Sequence, residues 1–144
     1  MIIHLATDHA GYEHKEALKI YLTGQGHQVF DHGALELDEN DDYPDFITPC
    51  AKAVSIDPTS MGIIFGGSGE GEAMCANRMP GVRAVVYYGG QTDILVYSRE
   101  HNNANILSIG ARFITPEEVS QAVTLWLETD FPKDERHVRR LSKF

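Results

Sequence analysis

Short runs of apolar residues alternate along this chain with stretches in which apolar residues recur at helical spacing. The apolar runs predict five β-strands, at residues 2–6, 28–31, 62–65, 83–87 and 105–109. Near-continuous apolar strands that are separated by helices are typical of a parallel sheet covered on both faces. We therefore expect an α/β fold, a three-layer α/β/α Rossmann-like sandwich with a five-stranded parallel sheet, in which ligands collect at the carboxyl ends of the strands.

Amphipathic helices are predicted between the strands. One apolar stripe consists of Ala17, Leu18, Tyr21 and Leu22, and another consists of Phe46, Ile47, Cys50, Ala51 and Val54. Pro49 lies within the second stripe, so that helix is expected either to begin close to Pro49 or to kink there. Thr115, Pro116 and Glu118 supply an N-cap, a first-turn proline and a capping-box carboxylate for a later helix.

The end of the chain differs from the rest. Pro132 interrupts the helical pattern, and the residues after it form a polar stretch with too little apolar surface to fold alone. No internal repeat or linker divides what precedes it. The sequence therefore predicts one domain over residues 1–131 and a basic helical arm over residues 132–144 that docks on another surface.

Composition excludes several functional classes. A length of 144 residues with 42% hydrophobic and 23% charged residues is typical of one globular domain. The net charge of −9 disfavours nucleic-acid binding, and no apolar run reaches the roughly 20 residues that cross a bilayer. With only two cysteines, no signal-peptide pattern at the N-terminus and histidines that are scattered, we expect a cytoplasmic protein without a metal site or a disulfide framework.

A glycine-rich loop, residues 66–72, follows the third predicted strand and precedes a predicted helix. Its glycines let the backbone approach a ligand closely, and its exposed amides favour an anion or a developing oxyanion. The loop lacks the Gly-Lys-Ser/Thr ending of a triphosphate-binding loop, and Glu70 stands where a hydrolase nucleophile elbow needs glycine. A tight turn that needs glycine only for its geometry is the alternative interpretation.

Glu72 is a candidate general base in the first turn of that helix. The helix dipole would lower the pKa of its carboxyl group and burial would raise it, so the sequence leaves the direction open. The alternative is an ordinary first-turn glutamate that the dipole stabilises.

Two further polar segments lie at predicted turns. Asp8 and His9 follow the first strand, where they suit proton transfer or phosphate binding, although Asp8 also suits a simple helix cap. His101 and Asn102 precede the last strand and suit a general acid and a contact to sugar hydroxyls, although a bare turn would have the same composition.

Cations cluster late in an otherwise acidic chain. Arg112 follows the last strand, and Arg136, Arg139, Arg140 and Lys143 share one face of the terminal arm. Arginine binds phosphate through two parallel hydrogen bonds, which indicates a site for a small anion. Cations that stabilise the carboxyl end of a helix are the alternative explanation.

Taken together, these motifs resemble the type B ribose-5-phosphate isomerases, a family that includes galactose-6-phosphate isomerase subunits. The resemblance runs in order from residue 2 to about residue 140 and rests on the segments Asp8-His9-Ala10-Gly11, Asp42-Tyr43-Pro44, the glycine-rich loop, Ala76-Asn77-Arg78, Arg99-Glu100-His101-Asn102-Asn103 and Arg136-His137-Val138-Arg139-Arg140. It implies a Rossmann-like subunit, a homodimer or a tetramer built from it, active sites at the subunit interface, an arm that docks on the partner subunit, and isomerisation without a cofactor.

One position departs from the pattern that many members of that family show. Those members carry a cysteine base at the end of the third strand, where this chain has Gly66. The chain is similar to the subgroup in which a glutamate at the position of Glu72 removes the proton. Cys75 does not match the family's cysteine and is interpreted as structural.

The resemblance also implies a role for each candidate residue. His101, with Asp8, opens the sugar ring, Glu72 moves the proton between C2 and C1, and Ser68 relays a hydroxyl proton. The remaining groups are implied as follows: backbone amides of Gly67, Gly69, Glu70 and Gly71 for the enediolate oxygen; His9, Arg112, Arg136 and Arg140 for phosphate; and Tyr43, Asn77 and Asn102 for hydroxyl contacts.

The expected reaction is the interconversion of ribose 5-phosphate and ribulose 5-phosphate through a cis-enediolate. Three alternatives stay open: the same chemistry on galactose 6-phosphate and tagatose 6-phosphate or on a tetrose phosphate, a non-catalytic sugar-phosphate sensor, and a structural dimerisation module. A sensor would use the arginines and the amides but would not need both Glu72 and His101.

Overall fold

The computed structural model describes residues 1–144 and has a central parallel sheet in the order β2-β1-β3-β5-β4. The strands are β1 (Ile2–Thr7), β2 (Gln28–Asp31), β3 (Met61–Gly66), β4 (Ala84–Tyr87) and β5 (Ile106–Gly110). All four strand pairs are parallel. The predicted α/β class, the sheet and its five strands are confirmed, with strand ends within two residues of the expected positions.

Six α-helices connect or follow the strands. They are α1 (Tyr12–Gly24), α2 (Pro44–Ile56), α3 (Glu70–Ala76), α4 (Asp93–Glu100), α5 (Pro116–Glu128) and α6 (Glu135–Leu141). A short 3₁₀ turn, His9–Gly11, joins β1 to α1. None of these helices is long and apolar enough to cross a lipid bilayer.

The sheet separates two apolar cores. On one face, strand residues such as Leu5, Phe65 and Leu107 pack with α1, α4 and α5, and Trp126 is fully buried there. On the other face, Ala6 and Ile64 pack with α2 and α3. Because each strand is covered on both faces, its sequence is apolar at consecutive positions, which is the signal that predicted it.

Local sequence explains two helix boundaries. The Thr115 hydroxyl accepts a hydrogen bond from the Glu118 backbone N–H, and the Glu118 carboxylate accepts one from the Thr115 N–H, so the predicted capping box is present. The expectation that Pro49 lies in the first turn is wrong, because Pro44 occupies the first turn of α2 and Pro49 lies inside the helix.

The direction of the parallel strands gives the sheet a carboxyl edge and an amino edge. The carboxyl edge of the sheet is where β1, β3 and β5 end, and the register Thr7–Phe65 and Gly66–Gly110 brings those ends level. The amino edge lies opposite and is where the strands begin. Helices that follow a strand run back from the carboxyl edge to the amino edge, so the first residue of α3 and the last residue of α4 lie at opposite edges.

Candidate active site

The glycine-rich loop lies at the carboxyl edge and is held against the end of β5. The Ser108 hydroxyl donates to the Gly69 carbonyl at 2.6 Å, and Gly69 has a φ of +80° where α3 begins. A Cβ at Gly69 would lie 3.1 Å from the Gly110 nitrogen. The close approach and the left-handed backbone together explain why glycine is required there.

The loop presents backbone N–H groups that make no hydrogen bond within the chain. These are the N–H groups of Gly67, Ser68, Gly69 and Gly71. The Glu70 N–H differs, because it donates to the Ser68 hydroxyl at 3.3 Å. Successive free N–H groups in a turn form an anion-binding concavity, so the loop can hold a negatively charged oxygen.

The Glu72 side chain is directed into the loop and is only 4% exposed. Burial raises the pKa of its carboxyl group, a hydrogen bond from its own backbone N–H lowers it, and the negative charge of Asp8 raises it. Burial and the charge of Asp8 outweigh that hydrogen bond, so the net direction is upward. A buried carboxyl with a raised pKa is a good proton acceptor near neutral pH.

Asp8 and His9 follow β1 at the same edge. The Asp8 carboxylate accepts a hydrogen bond from the Ala10 N–H at 2.9 Å, so the capping interpretation of Asp8 is correct. Asp8 also lies near enough to Glu72 for its negative charge to raise the pKa of the Glu72 carboxyl group. The His9 ring is hydrogen-bonded through Nδ1 to Asp41 Oδ1 at 2.7 Å.

Arg112 and Tyr43 flank the loop. The Arg112 guanidinium lies against Gly67, where a Cβ would be 3.2 Å from the guanidinium carbon Cζ. The backbone N–H of Arg112 also donates to the Gly67 carbonyl. The Tyr43 hydroxyl lies over Gly71, 2.9 Å from the position of a Cβ. A cation and a hydroxyl therefore lie against the same glycine-rich loop as the Glu72 carboxylate.

His101 and the arm lie at the amino edge, away from Glu72 of the same chain. His101 caps the end of α4 and stacks on Tyr97 and on His137 of α6, with ring centroids 4.9 and 4.4 Å apart. His137 is buried, whereas Arg136 and Arg140 on the same helix are exposed. The arm therefore packs against α4 of its own chain and carries its arginines beside His101.

Asn77 and Asn102 also lie at the amino edge, where they line one surface cavity with Arg83 and Phe144. The Asn77 amide accepts from the Ala84 N–H at 2.7 Å and donates to the Ala84 carbonyl at 2.9 Å. Within one chain, Asn77 therefore secures the start of β4 and is not among the groups that the fold brings to Glu72.

Two polar residues at these edges, Asp41 and Arg99, have contacts that the sequence did not predict. Asp41, the partner of His9, stands in an acidic run with no distinguishing spacing. Arg99, which belongs to the quoted motif, donates to the carbonyls of Ala104 and Thr129 and lies over the Trp126 ring, so it holds the amino edge together. A side-chain pair that spans 32 positions, as His9 and Asp41 do, leaves no local pattern.

The fold and the carboxyl edge together define a class, a Rossmann-like α/β enzyme whose polar groups gather around a glycine-rich loop at the strand ends. The sequence profile described as Ribose/Galactose Isomerase matches residues 3–144. The chain thus belongs to the ribose/galactose isomerase family.

Named relatives and solved structures agree with this assignment. Ribose-5-phosphate isomerase B of Mycobacterium tuberculosis is 43% identical over 141 residues, which are 98% of this chain and 86% of that protein. The probable ribose-5-phosphate isomerase B of Mycoplasma pneumoniae is 38% identical over 141 residues, 98% of this chain and 91% of that protein. The crystal structure of the Mycoplasma genitalium enzyme with bound ribulose-5-phosphate superposes with a TM-score of 0.93 at 34% identity, covering 99% of this chain and 92% of that chain.

Proposed function

We propose that this protein interconverts ribose 5-phosphate and ribulose 5-phosphate. The observation that carries the proposal is the buried Glu72 carboxylate beside a loop of free N–H groups. An aldose–ketose isomerase needs a base for the carbon acid and a group that stabilises the enediolate oxygen, and this pocket offers both. The named relatives and the ribulose-5-phosphate complex of the Mycoplasma genitalium enzyme support the choice of substrate.

The proposed chemistry begins on the open-chain aldose. Glu72 takes the proton from C2, the C1 carbonyl oxygen gains the negative charge, and a cis-enediolate forms. The same carboxyl group returns the proton to C1 while a proton passes from O2 to O1 with the help of Ser68, which leaves the carbonyl at C2. The free N–H groups of the loop stabilise the charged oxygen, and each such donor typically contributes about 3 kcal/mol.

A second copy of the chain supplies the remaining groups in this proposal. His101, Asn102, Arg136 and Arg140 lie at the amino edge, so they reach a Glu72 pocket only on a neighbouring protomer. The pocket's own cations for phosphate are His9 and Arg112. Ring opening by His101 with Asp8, and phosphate contact by the arm arginines, therefore both require a dimer.

Charge and apolar surface support such an assembly. The acidic segment, residues 36–45 at the carboxyl edge, holds six carboxylates and no cation, whereas the basic arm lies at the amino edge. Opposite charges on the two edges favour contact between copies. An apolar groove lies between β4 and α4 and extends to Asn102; its lining includes Val85, Ile94 and Tyr97. In the proposed dimer this groove supplies apolar surface for the interface between the two copies.

The proposal is tested with Glu72→Gln and the matched variant Glu70→Gln, which changes an exposed carboxylate in the same helical turn. Deuterium incorporation at C2 of ribose 5-phosphate in D2O is followed by NMR. We expect exchange to be lost in Glu72→Gln while sugar-phosphate binding persists, and Glu70→Gln to retain both. Unchanged exchange in Glu72→Gln would remove this residue from the mechanism, and no exchange in the wild type would favour the sensor.

Substrate choice is tested separately. Turnover is compared across tetrose, pentose and hexose aldose phosphates, including galactose 6-phosphate. We expect the highest kcat/KM with ribose 5-phosphate. A higher value for a hexose or tetrose phosphate would keep the chemistry and reassign the substrate.

A further inference from the structure

Asp41 is a buried carboxylate that the proposed reaction does not use, and its contacts converge on His9. Its side chain is 8% exposed. Oδ1 accepts two hydrogen bonds from His9, one from the backbone N–H at 3.0 Å and one at 2.7 Å from the ring Nδ1, whereas Oδ2 has no partner. The Asp41 side chain therefore hydrogen-bonds to His9 alone, and an Asp8 carboxylate oxygen lies within 4.8 Å of both residues.

The contact decides which ring nitrogen carries a proton. A carboxylate only accepts hydrogen bonds, so Nδ1 of His9 is protonated, and Nε2 is the atom left for a ligand. The His9 side chain is 30% exposed, so that nitrogen is reachable from solvent. The Asp41 bond thus fixes both the tautomer and the orientation of the ring.

The charged groups around His9 favour the imidazolium. The hydrogen bond that the His9 ring donates to Asp41 raises the pKa of His9, burial lowers it, the charges of Asp8 and Asp41 raise it, and the charge of Arg112 lowers it. The net direction is upward. With Asp41 present, the ring then carries a proton on both nitrogens over a wider range of pH.

We propose that Asp41 is a positioning residue that holds His9 as an imidazolium whose Nε2–H donates to the phosphate of the substrate. This inference rests on the proposed function, since it assigns a role within the phosphate subsite of that reaction. A sugar phosphate is mostly a dianion at neutral pH, and its oxygens are acceptors. A neutral His9 with its proton on Nδ1 would turn a lone pair toward those oxygens, so Asp41 promotes binding only by keeping the second proton in place.

The central variant is Asp41→Asn. Its amide oxygen still accepts from both donors of His9, so the loop is expected to stay folded while the negative charge is removed. The matched control is Asp38→Asn, which makes the same change of charge on an exposed residue of the same segment. The Asp38 side chain hydrogen-bonds only with Asn40, and the Asp38 carbonyl, which accepts from the Asp41 N–H, is kept in the variant.

Three measurements separate a positioning role from a structural one. In Asp41→Asn, the ring signals of His9 in NMR should titrate at a lower pH than in the wild type, and inorganic phosphate should bind about tenfold more weakly at pH 7.5, as expected for the loss of one charge-assisted hydrogen bond. With sugar phosphate, KM should rise by a similar factor while kcat changes less than about twofold, since the charge acts on binding. Lowering the pH should narrow the difference in phosphate affinity between Asp41→Asn and the wild type, since His9 is then protonated in both, and Asp38→Asn should behave as the wild type.

The inference is overturned if His9 in Asp41→Asn titrates as in the wild type, or if phosphate affinity does not change. A loss of kcat with unchanged KM would also overturn it, because the charge of Asp41 would then act on the chemical step and not on binding. The NMR and inorganic-phosphate measurements need no turnover, so they give an answer even if the protein proves not to isomerise ribose 5-phosphate. Failure of the proposed function would appear instead as absent deuterium exchange in the wild type.

Discussion

The Glu72 carboxylate occupies the space that a side chain at Gly66 would need. A Cβ on Gly66 would lie 1.9 Å from Oε1 and 2.4 Å from Oε2 of Glu72. Gly66 is the last residue of β3, where the family resemblance places a cysteine in many members. A side chain at residue 66 and the observed position of the Glu72 carboxylate therefore exclude each other.

Replacing Gly66 with alanine tests this exclusion. The obstructing atoms are the end of a flexible side chain, so we expect Glu72 to swing away and the protein to stay folded. Because a positioned general base contributes about 10² to 10⁴ in rate, kcat should fall by about a hundredfold. Steady-state kinetics measures the loss, and urea unfolding should show a change in stability below about 1 kcal/mol.

Gly24→Ala is the matched control for that variant. A Cβ at Gly24 meets nothing within 4 Å, and the residue lies at the end of α1. Its activity should equal that of the wild type. Full activity in Gly66→Ala would mean that the observed position of the Glu72 carboxylate does not matter for turnover.

Mixing two inactive chains tests whether the active site is shared between copies. Glu72→Gln removes a group of the carboxyl edge and His101→Ala one of the amino edge. If each site combines both edges from two protomers, a mixed dimer has one intact site, and equal mixing with subunit exchange should recover about a quarter of wild-type activity. Activity is followed after co-refolding the two variants.

The mixing experiment also needs a control in which no site can be restored. Glu72→Gln mixed with a second batch of Glu72→Gln serves as the control and should stay inactive. Recovery no greater than in that control would place the whole site within one chain and would contradict the assignment of His101 to the partner's pocket.

Asp31→Asn should destabilise the fold through Lys15. The Lys15 side chain is fully buried, and its Nζ lies 2.5 Å from Asp31 Oδ2 and 2.6 Å from Glu16 Oε1. Asp31→Asn removes the more buried of the two partners and leaves the Lys15 cation with only the one-third-exposed Glu16. Loss of a partner from a buried ion pair typically costs about 3 kcal/mol or more. The change is measured as the difference in unfolding free energy in urea.

Glu16→Gln provides the comparison. Glu16 is one-third exposed, so its contact with the buried cation is screened by solvent and should contribute less than about 1 kcal/mol. Equal losses in the two variants would show that burial of the pair does not decide its energy.

Stability should fall in mild acid because of His4 and His32. Their rings are hydrogen-bonded at 2.9 Å, and burial lowers the pKa of both residues below 6.5. The unfolded chain then binds more protons than the folded one once the pH drops below about 6.5, so stability decreases from there down to the native pKa values and is level above. Unfolding at pH 7.5 and 5.5 measures this.

His32→Gln isolates the pair from other histidines. His9, with its raised pKa, acts in the opposite sense, so the informative quantity is the difference between variant and wild type. We expect the variant to lose less stability than the wild type between those two pH values. An identical loss would exclude the His4–His32 contact as the cause.

Local pattern was enough to predict the strands and the last long helix. The strand at residues 62–65 extends to Met61–Gly66, and the helix after Thr115 begins at the predicted cap. These features depend on neighbours in sequence, which is why they are readable. The order of the strands depends on contacts between distant segments and leaves no such signal.

The candidate site was predictable only in part. The carboxyl-edge position of Glu72 follows from its place after β3. The amino-edge position of His101 follows equally from its place before β5. That Glu72 and His101 of one chain lie at opposite edges of the sheet is seen only in the fold. By contrast, the burial of Glu72, the pairing of Asn77 with Ala84 and the contact of Asp41 with His9 depend on tertiary packing.

The uneven placement of charge gives each protomer an electric dipole along the strands, despite its net charge of −9. Carboxylates of residues 36–45 surround one end, and the cations of the basic arm surround the other. Since the screening length is about 10 Å at 0.1 M salt and about 3 Å at 1 M, a rise in ionic strength shortens the reach of that attraction. If the proposed dimer forms, the salt content of the buffer therefore influences how quickly two copies meet, and a dilute sample at high salt should lose specific activity without unfolding.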